Sequence, residues 1–226
     1  MILGGISIVG SYHSKNQDSF CVKKVGDACL LTVSDGLGSK RYSEIGSKAL
    51  CDSAYEIVKE NENEMKGWTA EAFVERVYGR WVEKLVGYEM ADCYATMLIL
   101  LVFPKKILAA RLGDGFISFW TDNEIKVLFD RKEDYFANET DCLTEEISLE
   151  KIECIELSYS TFRGAIMCSD GVGIGDMTLS EIAHFTEEFI EEYHKYSETD
   201  VIGEINGWLK DWTGGDDKTL VFALEV

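Results

Sequence analysis

Apolar positions along the chain fall into short runs of strand length, separated by two longer stretches with helical spacing. Ile6–Val9 predicts an early strand. After the polar loop Ser11–Asp18, Ser19–Lys23 predicts a second. Ala28–Val33, bounded by Gly26-Asp27 and carrying β-branched Thr32 and Val33, predicts a buried strand that ends in Ser34-Asp35-Gly36-Leu37-Gly38. Over Arg41–Lys59, Tyr42, Ile45, Ala49, Ile57 and Val58 recur at roughly helical period, and Asn61–Gly67 breaks the pattern. A cleaner stripe follows at Ala70, Phe73, Val74, Val77, Trp81 and Leu85, with Thr69 placed to cap it.

The middle of the chain reads as a β-meander. Tyr94–Phe103 is a long apolar run, Pro104-Lys105-Lys106 turns it, and Ile107–Leu112 returns. Phe116–Thr121 and Glu124–Phe129 predict a hairpin across Asp122-Asn123. Asp130–Glu150 is polar and irregular, an insertion over one end, and Ile152–Leu157 and Arg163–Cys168 predict two more strands. From Met177 the period turns helical again. Thr178-Leu-Ser-Glu181 has the form of a capping box, Val201–Trp212 predicts a final helix, and Thr219–Val226 a closing strand. Strands, two helices, strands, two helices and a strand imply an α+β sandwich with helices over the sheet faces.

At 226 residues with one proline and no linker-like run, the chain reads as a single domain spanning 1–226. A formal charge of -19 excludes a nucleic-acid footprint and points to cations as partners. No run approaches the roughly 18 apolar residues of a membrane span. Met1–Gly10 lacks a basic leader and reads as a first strand. The seven cysteines form no Cys-x-x-Cys and predict free thiols in a reducing, cytoplasmic setting.

Asp35-Gly36 alone is an ordinary turn signal. The pattern recurs, however, in Gly113-Asp114-Gly115, Ser169-Asp170-Gly171 and Gly215-Asp216-Asp217, and Asp18 lies directly before a strand. If these strands share a core, the carboxylates converge at one edge, where they repel unless cations neutralise them. Oxygen ligands without cysteine or histidine suit Mg²⁺ or Mn²⁺, and such clusters support two-metal hydrolysis at phosphorus.

The ordered set Asn16-Gln-Asp18, Ser34-Asp-Gly-Leu-Gly38, Leu112-Gly-Asp-Gly115, Ser169-Asp-Gly171 and Gly215-Asp-Asp-Lys-Thr219 resembles the metal-dependent protein phosphatases of the PPM, or type 2C, family, in its compact bacterial branch. The resemblance implies a four-layer α-β-β-α sandwich of two antiparallel sheets flanked by helices. It also implies hydrolysis of phosphoserine or phosphothreonine in a protein, the substrate of a cognate kinase, by a hydroxide bridged between two Mg²⁺ or Mn²⁺ ions. By the same resemblance Asp35 bridges both ions and Gly36 offers its carbonyl. Asp170 and Asp216 hold the first ion, Asp18 the second, and Asp114 a third, weaker position; Asp217 is a neighbour only.

Three departures stand out. His13 occupies the family's phosphate-gripping arginine position, so His13 or Lys15 takes that role with less reach than a guanidinium fork. Leu37 stands where many relatives have a histidine. Gly115-Phe116 replaces Ser-Arg after Asp114. The missing arginine leaves open an alternative, a pseudophosphatase that binds phosphoproteins without turnover.

Overall fold

The computed structural model describes residues 1–129, 140–172 and 177–225. Ten strands form two antiparallel five-stranded sheets. Sheet A has the order β1-β10-β9-β6-β7, with β1 Ile2–Ile8, β6 Phe116–Thr121, β7 Glu124–Phe129, β9 Phe162–Cys168 and β10 Lys218–Leu224. Sheet B has the order β2-β3-β4-β5-β8, with β2 Asp18–Val25, β3 Ala28–Asp35, β4 Met97–Phe103, β5 Lys106–Leu112 and β8 Glu153–Ser158. Helices α1 Ser43–Glu60 and α2 Ala70–Lys84 cover sheet B, and α3 Leu179–Tyr193 and α4 Glu198–Asp211 cover sheet A. The four-layer α-β-β-α order is the one anticipated.

The layers explain the unbroken apolar runs. In β4 every residue is buried. Met97, Ile99, Leu101 and Phe103 face α1 and α2, while Leu98, Leu100 and Val102 face sheet A across the middle of the sandwich. A strand covered on both faces has no position for a polar side chain, so alternation disappears. Each fully buried Leu or Ile contributes about 1.5–3 kcal/mol, and three stacked apolar layers hold the sheets at fixed spacing.

Helix ends follow the local signals. Thr69 accepts the Ala72 N–H, and Thr178 and Glu181 form the capping box. Four of the seven cysteines are buried, and all are free thiols.

The expected meander is divided. The chain pairs β4 with β5, then crosses from sheet B to sheet A, so that β5 pairs with β8 and β6 with β7 and β9. The crossing occurs at Gly113 and Gly115, both left-handed with φ of 91° and 97°, a conformation that carries little cost for glycine alone. Of the expected insertion, residues 130–139 lie outside the described residues. Leu143 is buried, and its N–H donates to the Ala95 carbonyl at 2.9 Å, tying this stretch to the end of sheet B. Val226, the last residue of the expected closing strand, is also outside the described residues.

Candidate metal centre

Antiparallel pairing puts the start of β2 beside the end of β3, with Asp18 directly opposite Asp35. In the other sheet the end of β9 lies beside the start of β10, and Ser169 N–H donates to the Thr219 carbonyl at 3.0 Å. The two corners meet. Ser169 Oγ and Thr219 Oγ1 both donate to Asp18 Oδ2, at 2.7 and 2.6 Å, joining the sheets at one end of the sandwich. A line of hydroxyls continues outward: Asn16 Nδ2 donates to Ser7 Oγ, which lies 2.7 Å from Thr219 Oγ1.

Asp35 is fixed by its backbone. Its N–H donates to Thr96 Oγ1 at 2.9 Å and its carbonyl accepts the Thr96 N–H at 2.8 Å. Asp114 sits on the crossover turn, where Thr140 Oγ1 donates to its Oδ2 at 2.7 Å. Gly171 follows Asp170, and a Cβ there would lie 1.9 Å from the Asp217 carbonyl oxygen, so only glycine lets β9 leave the site beside the Gly214–Asp217 loop.

The electrostatics are those of crowded carboxylates. Burial, then the charges of Asp18 and Asp170, pushes Asp35 well above the usual carboxylate range. Asp170 is raised to about 7 by burial and by Asp216, Asp18 and Asp114. Asp18 is raised to about 6, chiefly by burial, against the lowering influence of its hydroxyl donors. Asp18 Oδ1 is buried and has no hydrogen-bond partner among the described residues. A buried carboxylate oxygen with no donor costs on the order of 1–3 kcal/mol or more, and a divalent cation removes that cost. The carboxylate oxygens of this group fit hard divalent ions such as Mg²⁺ and Mn²⁺, and at its edge ligand atoms of His13, Asp216 and Asp217 lie within 4.8 Å of one another.

Asp18, Asp114, Asp170 and Asp216 thus lie near enough to Asp35 or to one another for their charges to raise a neighbouring carboxyl's pKa. Gly36, buried next to Asp35, is held by its N–H donating to the Gln17 carbonyl at 3.2 Å. The two candidates for the phosphate grip separate. Lys15 is largely exposed and pairs with Glu44 at 3.3 Å, outside the cluster, because the loop turns its side chain toward the start of α1. His13 sits over the cluster, with Nδ1 3.0 Å from Asp217 Oδ2 and 3.5 Å from Asp216 Oδ1.

Asp217 is the residue that sequence reasoning undervalued. It is 1% exposed. Its Oδ1 accepts the Gly10 N–H and its Oδ2 the Gln17 N–H, each at 2.7 Å, in addition to His13. One buried carboxylate thus holds the whole loop that presents His13 and Asp18. The doubled acid in Asp216-Asp217 was a signal, but its partners lie about 200 residues away in the chain. Ser169 and Thr219 were likewise quoted only as motif neighbours, and their hydroxyls turn out to hold Asp18.

A sandwich of two antiparallel sheets between helical pairs is a fold this chain shares with solved bacterial phosphatases. The similar structures include the catalytic domain of the serine threonine protein phosphatase PstP in complex with two manganese ions (TM-score 0.69, 17% identity, 98% of this chain and 96% of that one). They also include the serine/threonine phosphatase Stp1 from Staphylococcus aureus (0.69, 15%, 100% and 96%). A third is RsbX in complex with magnesium (0.61, 18%, 96% and 92%). Among curated proteins, no sequence match is significant. The sequence model described as Protein phosphatase 2C matches residues 11–213, and the chain belongs to that family.

Proposed function

We propose that this chain, as one domain, is a Mg²⁺- or Mn²⁺-dependent phosphatase that hydrolyses phosphoserine or phosphothreonine in a protein substrate. The observation that carries the reading is the crowding of carboxylates around Asp18 and Asp35, whose charges and burial raise their pKa values, together with a buried Asp18 oxygen that has no hydrogen-bond partner among the described residues. Such a group is stable when ionised only if divalent charge sits among its members.

Asp35, Asp170 and Asp216 would hold one ion and Asp35 and Asp18 a second, Gly36 would offer its carbonyl, and Asp114 would serve a third position. Two bound divalent cations supply an activated water and offset charge on the phosphoryl oxygens. The chain's own contribution is positioning. Ser169 and Thr219 orient Asp18, Thr96 orients Asp35, and Asp217 fixes the His13 ring through Nδ1, so that a doubly protonated ring would donate from Nε2 to a phosphate oxygen. Leu37 has no proton to give, so no side chain at that position protonates the leaving group. A family of kinase-phosphorylated proteins in a reducing compartment is the setting that free thiols and phosphatase relatives favour together.

The test is phosphate release from a phosphothreonine peptide with Mn²⁺. Chelator abolishes the rate, and Asp35→Asn lowers it at least 100-fold. An unchanged rate in Asp35→Asn would overturn the assignment. Tight phosphopeptide binding by the Mn²⁺-loaded chain without hydrolysis would replace catalysis with the pseudophosphatase alternative.

A further inference from the structure

The outer face of the α3–α4 hairpin carries a shallow groove of about 230 Å³, separate from the carboxylate cluster and independent of the phosphatase reading. Its floor is aromatic: Phe185, Phe189, Tyr193, Trp208 and Trp212. Phe185 lies 6.4 Å from Trp208 and 6.3 Å from Trp212, and the two tryptophans are 5.5 Å apart, centroid to centroid. Trp208 Nε1–H donates to the Tyr193 hydroxyl at 3.3 Å, so the polar edge is satisfied internally and the faces stay apolar. Phe185, Trp208 and Trp212 are only half-buried, and Tyr196, 36% exposed, prolongs the floor.

The walls are acidic. Glu188 and Glu192 line the groove from α3. Glu204 and Asp211, four residues before and three after Trp208, flank it from α4. Residues 179–212 hold nine acidic against two basic side chains. At the chain's overall density of -19 over 226 residues, a segment of that length would carry only about -3.

We infer that this groove docks a basic amphipathic helix of a partner protein. Apolar side chains at i, i+3, i+4 and i+7 fit an aromatic floor, and Lys or Arg on the flanks pair with the wall carboxylates and lie over the tryptophan faces. A neutral apolar partner would desolvate the wall carboxylates without compensation. A second copy of this chain, at -19, is repelled. Along α3, Phe185 to Tyr193 spans about 12 Å at the helical rise, which matches two turns of an occupant.

The probe is an unphosphorylated 16-residue peptide of Leu and Lys in helical amphipathic order, titrated into the whole chain at about 0.15 M salt and followed by amide NMR shifts. The expected result is saturable binding with shifts confined to α3 and α4. A peptide of the same composition in scrambled order binds at least tenfold more weakly. Glu188→Lys with Glu192→Lys, both at exposed positions that leave the fold intact by circular dichroism, also weakens binding at least tenfold. Absence of binding, equal binding of the scrambled peptide, indifference to the charge reversal, or shifts centred on Asp35 would each overturn the inference. So would a peptide-free dimer whose interface contains Trp208, which would assign the groove to self-association.

Discussion

Asp170→Asn should stabilise the metal-free protein while removing a proposed ligand. Asp170 is pushed from 3.8 up to about 7 by burial and by three neighbouring carboxyls. A raised folded-state pKa contributes stability that is fully present below about pH 3.8, is lost as pH rises through about 7, and stays lost above it. At about 1.36 kcal/mol per pKa unit, keeping Asp170 in place costs on the order of 1–2 kcal/mol at pH 5 and up to about 4 kcal/mol at pH 8. Asparagine has nearly the same shape and no charge to lose. Asp18 and Asp35 share the relief, so these figures are ceilings. For a chain of this size, 1 kcal/mol moves Tm by about 2–4 °C, so the variant gains up to about 8–16 °C at pH 8 and far less at pH 5. The assay is thermal unfolding in chelator at the two pH values, then again with Mn²⁺. With Mn²⁺ the order reverses, since the wild-type cluster gains a cation and the variant cluster is one carboxylate short. A variant no more stable than wild type in chelator at pH 8, or a gain that does not grow from pH 5 to pH 8, would refute the electrostatic reasoning.

Asp217→Asn replaces an oxygen that accepts an N–H with an amide that can only donate, at either Gly10 or Gln17. The loss of one buried hydrogen bond lowers stability by about 1–3 kcal/mol and raises KM for a phosphopeptide more than it lowers kcat; unaltered unfolding and KM would show that the loop does not depend on this carboxylate. Gly171→Ala places a methyl 1.9 Å from the Asp217 carbonyl oxygen, and the backbone shift this forces costs about 1–3 kcal/mol and weakens Mn²⁺ binding measured by calorimetry. Wild-type stability together with wild-type Mn²⁺ affinity in that variant would show that the β9 exit has room the distances deny.

How much of this was legible beforehand follows from which interactions are local. The strand and helix periods, the Thr69 and Thr178 caps, and the Asp-Gly signals all depend on residues within a few positions of each other, and those elements appear in the structure within a few residues of their expected bounds. The recurrence of Asp-Gly at strand ends nominated Asp35, Asp114 and Asp170, while Asp18 was drawn in by its place directly before a strand and Asp216 by the glycine pair before the last one. Sheet membership was not legible. β5 and β6 look like neighbours in a meander, yet they lie in different sheets, because Gly113 and Gly115 let the chain cross to where both faces of each strand are covered. That choice rests on total burial, to which no local window has access.

The cluster divides in the same way. The amino-acid sequence by itself determined that several carboxylates would sit at strand ends with glycines beside them, and that an acidic chain with oxygen donors would favour hard cations. Only the tertiary structure decided which side chains hold them. Ser169 and Thr219 reach Asp18 across 151 and 201 residues of chain. Asp217 became the buried anchor of a loop it follows by some 200 residues. His13 sits beside the carboxylates because that anchor bonds its imidazole, while Lys15 turns to Glu44. Such partners are set by packing two sheets face to face, and hydrogen bonds between distant segments become favourable only once that packing has excluded water.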